Sequence, residues 1–114
     1  MVRRGGVFLA RLSPTEGSEQ AGQRPVVVVS RDAINQNSPV VIVVPLTDRE
    51  NKPRIYPSQV VLKAGDGGLA IDSVALGEQV RAISKTRLVK PLGHLSPRSI
   101  TEISAALKIA LDLP

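Results

Sequence analysis

Short runs of β-branched and aliphatic residues recur along this chain, and polar or glycine-containing segments separate them. Runs of this kind that are bounded by turn residues are typical of β-strands. Seven segments fit the pattern and are predicted strands: residues 7–12, 25–30, 40–44, 59–62, 72–76, 78–84 and 87–91. The second is a continuous β-branched run and the third repeats it, as expected for strands buried on both faces. Pro45 follows the third and predicts a strand end or edge, because proline has no N–H to donate.

Only the end of the chain shows clear helical periodicity. Apolar residues recur there at spacings of three and four and form one stripe along a helix: Ile100, Ile103, Leu107, Ala110 and Leu111. Ser96 is a favourable N-cap, and Pro97 suits the first helical position. Residues 30–37 are predicted to hold one short helical turn. Many strands followed by one packing helix predict a small, mainly antiparallel, barrel-like β domain.

The composition narrows the class of protein. A chain of 114 residues with 42% hydrophobic and 22% charged residues is typical of one soluble domain, spanning residues 1–114. Cysteine is absent, which excludes disulfides and thiolate metal sites. No apolar segment is long enough to span a membrane, and the N-terminal apolar run is too short for a signal peptide. We therefore expect a cytoplasmic protein.

The charge permits a polyanionic partner without requiring one. The net charge is +5, and ten of the 15 cationic side chains are arginine, which binds phosphate in a bidentate manner and stacks on bases. These cations are scattered along the chain rather than clustered. Phe8 and Tyr56 are the only aromatic residues, which argues against a platform that stacks the bases of single strands. RNA binding would depend on arginine, backbone and polar side chains.

The familiar catalytic sets are missing. The chain has one histidine, His94, so one subunit cannot build a two-histidine ribonuclease mechanism. His94 directly precedes the predicted helix, and we expect a structural or solvated role for it rather than metal binding. Residues 65–68 lack the Gly-Lys-Ser/Thr ending of a phosphate loop and are predicted to form a turn. No Gly-x-Ser-x-Gly elbow is present.

A polar loop between the first two predicted strands, residues 17–25, offers the most chemistry, because loops on rigid scaffolds often carry function. A hydroxyl, a carboxylate and an amide come from Ser18, Glu19 and Gln20. Arg24 lies where the second strand begins, and Thr47 follows the third strand. Gln79 and Arg81 are two residues apart and are predicted to share one face of a strand. Each of these residues alone has an ordinary structural explanation, so spacing indicates only a β domain with a candidate anion site.

Several short motifs follow one another in a fixed order from Arg4 to the C-terminal helix. They are Arg-Gly-Gly-Val-Phe at 4–8, Gly-Ser-Glu-Gln-Ala-Gly-Gln-Arg-Pro at 17–25, Val-Val-Pro-Leu-Thr at 43–47, Tyr-Pro at 56–57, Asp-Ser-Val-Ala-Leu-Gly-Glu-Gln-Val-Arg at 72–81 and Lys-Thr-Arg-Leu at 85–88. With this ordered set the chain resembles the MazF/PemK (Kid-like) toxins of bacterial type II toxin–antitoxin systems over nearly its whole length.

The resemblance implies an SH3-like barrel of antiparallel strands with a C-terminal helix, which works as a homodimer. It implies a metal-independent, sequence-specific endoribonuclease that requires no cofactor and cuts single-stranded RNA, chiefly mRNA. In the family the substrate's own 2′-hydroxyl attacks the phosphodiester and leaves a 2′,3′-cyclic phosphate and a 5′-hydroxyl. A protein of this kind must orient the RNA and stabilise charge, and it need not supply a nucleophile.

The resemblance also implies roles for individual residues. Arg24 and Thr47 correspond to the family's catalytic pair. Arg24 would donate to the phosphoryl oxygens and could also assist proton transfer, and Thr47 would hydrogen-bond the phosphate or the leaving oxygen. Glu19 is the acidic residue of the loop and would move a proton or read a base edge. The remaining candidates for RNA contact are Ser18, Gln20, Gln79 and Arg81. The chain departs from the family at Gly6, where many members have Asp, and at Gln23, where some have His.

The resemblance implies one further partner, a cognate antitoxin whose acidic, disordered tail competes with RNA for the groove between two subunits. Two other functions stay open on the sequence. A CcdB-like toxin binds DNA gyrase and cuts no RNA, and a degenerate homologue would only bind an antitoxin. The intact Arg24 and Thr47 positions favour the endoribonuclease.

Overall fold

The computed structural model describes residues 1–12 and 22–114, so the predicted site residues Ser18, Glu19 and Gln20 lie outside the described part. Seven strands occur in the described part: β1 Gly6–Arg11, β2 Gln23–Val28, β3 Val40–Asp48, β4 Gln59–Leu62, β5 Ser73–Leu76, β6 Arg81–Ser84 and β7 Leu88–His94. The helices there are α1 Asp32–Asn37 and α2 Pro97–Leu111. All strand pairs are antiparallel, in the order β4-β5-β3-β2-β1-β7, and β6 pairs with β3. The predicted mainly β, barrel-like class with a C-terminal helix is confirmed.

The central strand, β3, is longer than predicted, and Pro45 does not end it. Residues 40–43 of β3 pair with β6, whereas residues 46–48 pair with β5. Pro45 falls between these two partners, so the edge of β3 that faces away from β2 needs no backbone donor at that residue. The prediction of a strand end at Pro45 is therefore wrong, and the extension carries Thr47 into the sheet.

The valine-rich runs of β2 and β3 are buried on both faces, as predicted, except that Val40 at the start of β3 is exposed and Ile42 is half-buried. Val27 and Val44 belong to an apolar cluster that also contains Ile103 of α2. Val26 and Val43, their immediate neighbours in the chain, belong to a second cluster on the other face. Because side chains alternate along a strand, two continuous valine runs supply both clusters at once. This burial holds β2 and β3 in place, and the candidate site lies where β2 begins and β3 ends.

The predicted strand 78–84 is wrong in its first half. Gly77–Gln79 form a short 3₁₀ turn, and β6 begins only at Arg81. The turn is held against the start of β4, because the Glu78 carboxylate accepts hydrogen bonds from Ser58 at 3.0 Å and Gln59 at 2.9 Å. Gln79 is therefore exposed on a turn, and it does not share a strand face with Arg81.

The C-terminal helix begins as predicted, with Ser96 as its N-cap and Pro97 in its first turn. A glycine-rich 3₁₀ turn, Asp66–Gly68, is fastened to this end of the helix. The Asp66 carboxylate accepts hydrogen bonds from the Ser96 backbone N–H at 2.9 Å and from the Ser99 hydroxyl at 2.5 Å. Within the described residues, no helix combines the length and the apolar character needed to cross a membrane.

The contacts of Asp66 predict a pH dependence of stability. Partial burial raises the pKa of the Asp66 carboxyl, but the hydrogen bonds from Ser99 and Ser96 outweigh it and hold the pKa below its ordinary value. A carboxyl whose pKa is lowered by folding stabilises the protein above its unfolded pKa, about 3.9, and this stabilisation is lost as the pH falls through the folded pKa. We expect the free energy of unfolding, measured by urea denaturation, to fall more steeply in the wild type than in Asp66→Asn as the pH drops below about 4.

Ser99→Ala provides the comparison for this prediction, because it removes one donor and keeps the carboxylate. The slope of its free energy of unfolding against pH should lie between those of the wild type and Asp66→Asn. Equal slopes for the wild type and Asp66→Asn would contradict the assignment.

Candidate active site

A cavity of about 440 Å³ opens where β2 begins and β3 ends. Its polar lining residues are Gln23, Arg24, Thr47, Asp48, Asn51 and Ser73. The lining also contains apolar residues of two further segments, among them Leu69, Ile71 and Leu92. The cavity thus combines convergent polar groups with an apolar wall, which is typical of ligand sites.

Arg24 and Thr47 lie at the same end of the β2 and β3 pair. β2 and β3 are antiparallel, with the pairs Val26 and Pro45, Val27 and Val44, and Val28 and Val43. Arg24 and Thr47 lie two residues beyond the Val26 and Pro45 pair, in the positions that would be opposite one another in the same register, and both line the cavity. Residues directly opposite one another on adjacent strands have neighbouring side chains. The register therefore predicts that the two side chains are neighbours, and the structure places both residues on the lining of one cavity.

The sheet holds the backbone of Arg24 in place. β2 lies between β1 and β3, and the Cα of Arg24 pairs with that of Ala10 on β1. The Arg24 side chain is half-buried and reaches the cavity from this position. Because the backbone is held by a sheet, the guanidinium can be placed with little loss of backbone entropy on binding.

Thr47 is held by its own strand and by the turn that follows. Its Cα pairs with that of Val74 on β5. Its Oγ1 accepts a hydrogen bond from Nδ2 of Asn51, at 3.1 Å. The Asp48 carboxylate accepts a hydrogen bond from the Glu50 backbone N–H at 2.9 Å and so caps the turn. Sequence reasoning did not assign Asp48 or Asn51 to the site, because the Asn51 contact depends on the turn that follows β3.

Gln79 and Arg81 are not brought into the cavity. Gln79 is exposed on its 3₁₀ turn, and Arg81 pairs with Val43 on β3. Val43 precedes Thr47 by four residues, which corresponds to about 13 Å along an extended strand. Any contact of these two residues with a ligand would therefore lie outside the cavity.

His94 lies away from the cavity and has backbone partners. Its Nε2 is 2.9 Å from the carbonyl oxygen of Arg4, and its Nδ1 is 3.0 Å from the carbonyl oxygen of Leu95. These contacts agree with the structural role expected for it. Gln23 occupies a position where some members of the family that this chain resembles have histidine. It lines the cavity and carries a side-chain amide.

A glycine turn forms part of the cavity wall. The turn predicted at residues 65–68 is present as the 3₁₀ turn Asp66–Gly68, and Gly68 lines the cavity. Gly68 has φ +75°, and a Cβ atom there would come within 2.0 Å of the Leu92 carbonyl oxygen. The turn therefore packs against β7 at a distance that only glycine permits.

The arrangement favours binding of an anion. An arginine, two hydroxyl residues and two residues with side-chain amides line one cavity, and charge-assisted hydrogen bonds from arginine are among the strongest that phosphate can receive. Among the described lining residues, Asp48 is the one carboxylate and none is histidine. Within residues 1–12 and 22–114, no group of three His, Asp or Glu side chains could hold a metal ion.

Comparison with known proteins identifies close relatives. The model of one family, described as PemK-like, MazF-like toxin of type II toxin-antitoxin system, matches residues 3–111. The chain is 46% identical over 113 residues to Endoribonuclease MazF from Staphylococcus saprophyticus. The aligned region covers 99% of this chain and 93% of that protein.

Solved structures of the same kind share the fold. An endoribonuclease in complex with its cognate antitoxin, from a Mycobacterial species, has a TM-score of 0.81 at 25% identity, over 100% of this chain and 98% of that chain. MazF from Deinococcus radiodurans has a TM-score of 0.78 at 25% identity, over 97% of this chain and 96% of that chain. These similarities extend over the cavity as well as the sheet, since they span nearly the whole chain.

Proposed function

The chain belongs to the PemK-like, MazF-like toxins of type II toxin–antitoxin systems, and we propose that it is a metal-independent endoribonuclease that cuts single-stranded RNA at the cavity between Arg24 and Thr47. The observation that carries this proposal is that Arg24, near the start of β2, and Thr47, near the end of β3, line one cavity. The 46% identity to an endoribonuclease over nearly the whole chain supports the activity.

In this mechanism the RNA supplies its own nucleophile. The 2′-hydroxyl oxygen attacks the adjacent phosphorus, and the bond from phosphorus to the 5′-oxygen breaks. The products are a 2′,3′-cyclic phosphate and a 5′-hydroxyl, so one proton leaves the 2′-oxygen and one reaches the 5′-oxygen. The protein has to hold the phosphate in line and stabilise the dianionic phosphorane that forms between these events.

Arg24 is proposed to stabilise that charge. An arginine side chain keeps its proton in proteins and offers several N–H donors in a planar fork. It can therefore bind two non-bridging oxygens at once, and it donates more strongly as negative charge develops on them. Because it does not release its proton, Arg24 is assigned to charge stabilisation rather than to proton abstraction.

Thr47 and Glu19 are proposed to complete the catalytic group. The Thr47 hydroxyl would donate to the phosphate or to the leaving 5′-oxygen from the strand opposite Arg24. Glu19 precedes Arg24 by five residues, and its carboxylate would accept the 2′-hydroxyl proton or relay it. This division gives the cationic and the proton-accepting roles to different side chains.

The other predicted residues are proposed to hold the RNA on either side of the cut. Ser18 and Gln20 flank Glu19 in the chain, whereas Gln79 and Arg81 would contact nucleotides beyond the scissile phosphate. The net charge of +5 supports a polyanionic substrate, and the affinity for RNA should fall with rising salt because bound counterions are released.

We propose that the toxin acts in the cytoplasm as a homodimer, with RNA tracking a groove shared by the two subunits. A cognate antitoxin with an acidic, disordered tail would compete for this groove. The similarity to an endoribonuclease that was solved with its cognate antitoxin supports such a partner. An acidic tail would gain from the same positive surface as RNA and would order on binding.

Cleavage of a long RNA by the purified protein in EDTA tests the proposal. We expect discrete fragments with 2′,3′-cyclic phosphate and 5′-hydroxyl ends. A substrate with a single 2′-deoxynucleotide on the 5′ side of the cut is the control, and it should stay intact because it lacks the nucleophile. Absence of fragments, or 5′-phosphate ends, would contradict the mechanism. Growth arrest with intact mRNA and trapped gyrase–DNA complexes would favour the CcdB-like alternative.

A further inference from the structure

The side chain of Asn51 contacts the site through Thr47. Its Nδ2 donates a hydrogen bond to Thr47 Oγ1 at 3.1 Å, and both residues line the same cavity. Asn51 is exposed, so the contact does not serve to satisfy a buried amide. An exposed hydrogen bond between side chains contributes little to stability. We therefore expect this contact to act on the Thr47 hydroxyl.

The turn that carries Asn51 is fastened at both ends. Asn51 is the last residue of the 3₁₀ turn Arg49–Asn51, and the Arg49 backbone N–H donates to the carbonyl oxygen of Asp72 at 3.0 Å. The Lys52 backbone N–H donates to the carbonyl oxygen of Arg49 at 3.1 Å, and the Arg49 guanidinium donates to the carbonyl of Lys52. The Asn51 amide therefore approaches Thr47 from a fixed backbone.

We propose that Asn51 is a positioning residue that aims the Thr47 hydroxyl proton into the cavity, an inference that rests on the proposed endoribonuclease function. A threonine hydroxyl has one proton to donate and two lone pairs that accept. Because the Asn51 NH₂ group occupies one lone pair and cannot accept a proton, the O–H bond of Thr47 stays available for a phosphate oxygen.

The same contact strengthens the donor. A hydroxyl whose oxygen accepts a hydrogen bond is polarised and donates more strongly in turn. The stronger donor stabilises a phosphate oxygen that gains charge in the transition state more than it stabilises the ground-state phosphate. The contact should therefore act on kcat more than on KM.

Steady-state cleavage of one RNA by three variants measures this effect. Asn51→Ala should lower kcat by about five- to tenfold, the value of one hydrogen bond, with KM little changed. Asn51→Asp should lower kcat further, because its carboxylate can only accept and would draw the Thr47 proton away from the substrate. Glu50→Ala is the matched control, since its side chain is exposed in the same turn and outside the cavity lining, and it should cleave like the wild type.

A double-mutant comparison separates positioning from a structural role. In a Thr47→Val background the hydroxyl is absent, so Asn51→Ala should cause no further decrease in the cleavage rate. Single-turnover assays with protein in excess keep the slow reaction of Thr47→Val measurable. An equal decrease in both backgrounds would overturn the inference, because Asn51 would then act independently of the hydroxyl.

The outcomes distinguish the two proposals. If the wild type cleaves RNA and Asn51→Ala matches Glu50→Ala, the positioning role is wrong and the proposed function stands. If the wild type cleaves no RNA, the proposed function fails and the positioning role fails with it. A side-chain amide NMR signal of Asn51 that shifts in Thr47→Val and not in Glu50→Ala supports the contact itself, and an unshifted signal in Thr47→Val overturns it.

Discussion

Replacing Arg24 with alanine should lower the rate of RNA cleavage by about two to three orders of magnitude, the usual cost of removing one donor to a charged transition state. Arg24 is a cationic residue of the cavity lining, which it shares with Thr47. Single-turnover cleavage of one RNA substrate measures the loss. The fold should be preserved, because Arg24 is only half-buried at the start of β2.

Two further substitutions make the Arg24 prediction specific. Arg24→Lys keeps the charge but loses the planar fork, so its rate should lie between those of the wild type and Arg24→Ala. Arg98→Ala removes the same charge from the exposed N-terminal turn of α2, where Arg98 pairs with Glu102 at 3.4 Å, and should cleave almost normally. If Arg24→Ala cleaved as well as Arg98→Ala, Arg24 would have no part in the mechanism.

Replacing Gly68 with alanine should lower the free energy of unfolding by about 3 kcal/mol, through overpacking and backbone strain together. The new Cβ would come within 2.0 Å of the Leu92 carbonyl oxygen, and the residue has φ +75°. A carbonyl oxygen in β7 cannot move aside as a flexible side chain would. Unfolding in urea, followed by circular dichroism, measures the change.

Gly65→Ala is the matched control for this prediction. Gly65 also has a positive φ, +97°, but an added Cβ would meet no atom within 4 Å. Its cost should be limited to backbone strain, about 1–2 kcal/mol. If the two variants were equally destabilised, the close packing of the turn on β7 would not contribute. Because Gly68 also lines the cavity, Gly68→Ala should lower cleavage as well as stability, whereas Gly65→Ala should lower only stability.

Local patterns predicted most of the elements because their causes are local. The valine-rich runs at the end of β2 and at the start of β3 need burial on both faces whatever their partners are, and the Ser96–Pro97 pair begins a helix in any context. The predictions that were wrong depended on partners distant in sequence. Pro45 is tolerated inside β3 because two different strands share one edge of it, and Glu78 is drawn into a turn by side chains near β4.

The candidate site divides in the same way. Arg24 and Thr47 could be selected from the sequence by the chemistry they offer and by the motifs that carry them. Asn51 could not, because its role depends on a turn that directs its amide back to Thr47. Gly68 was identified as a turn residue, but its place in the cavity wall depends on the packing of that turn against β7.

The sequence by itself therefore determined the class of fold, the final helix and the residue types available for phosphate chemistry, because hydrophobic period, capping and side-chain chemistry act over a few residues. The tertiary structure alone decided that Arg24 and Thr47 line one cavity, that Asn51 contacts the Thr47 hydroxyl, and that Gln79 and Arg81 lie outside the cavity. These relations follow from strand register and turn packing, which arise from contacts between residues far apart in the chain.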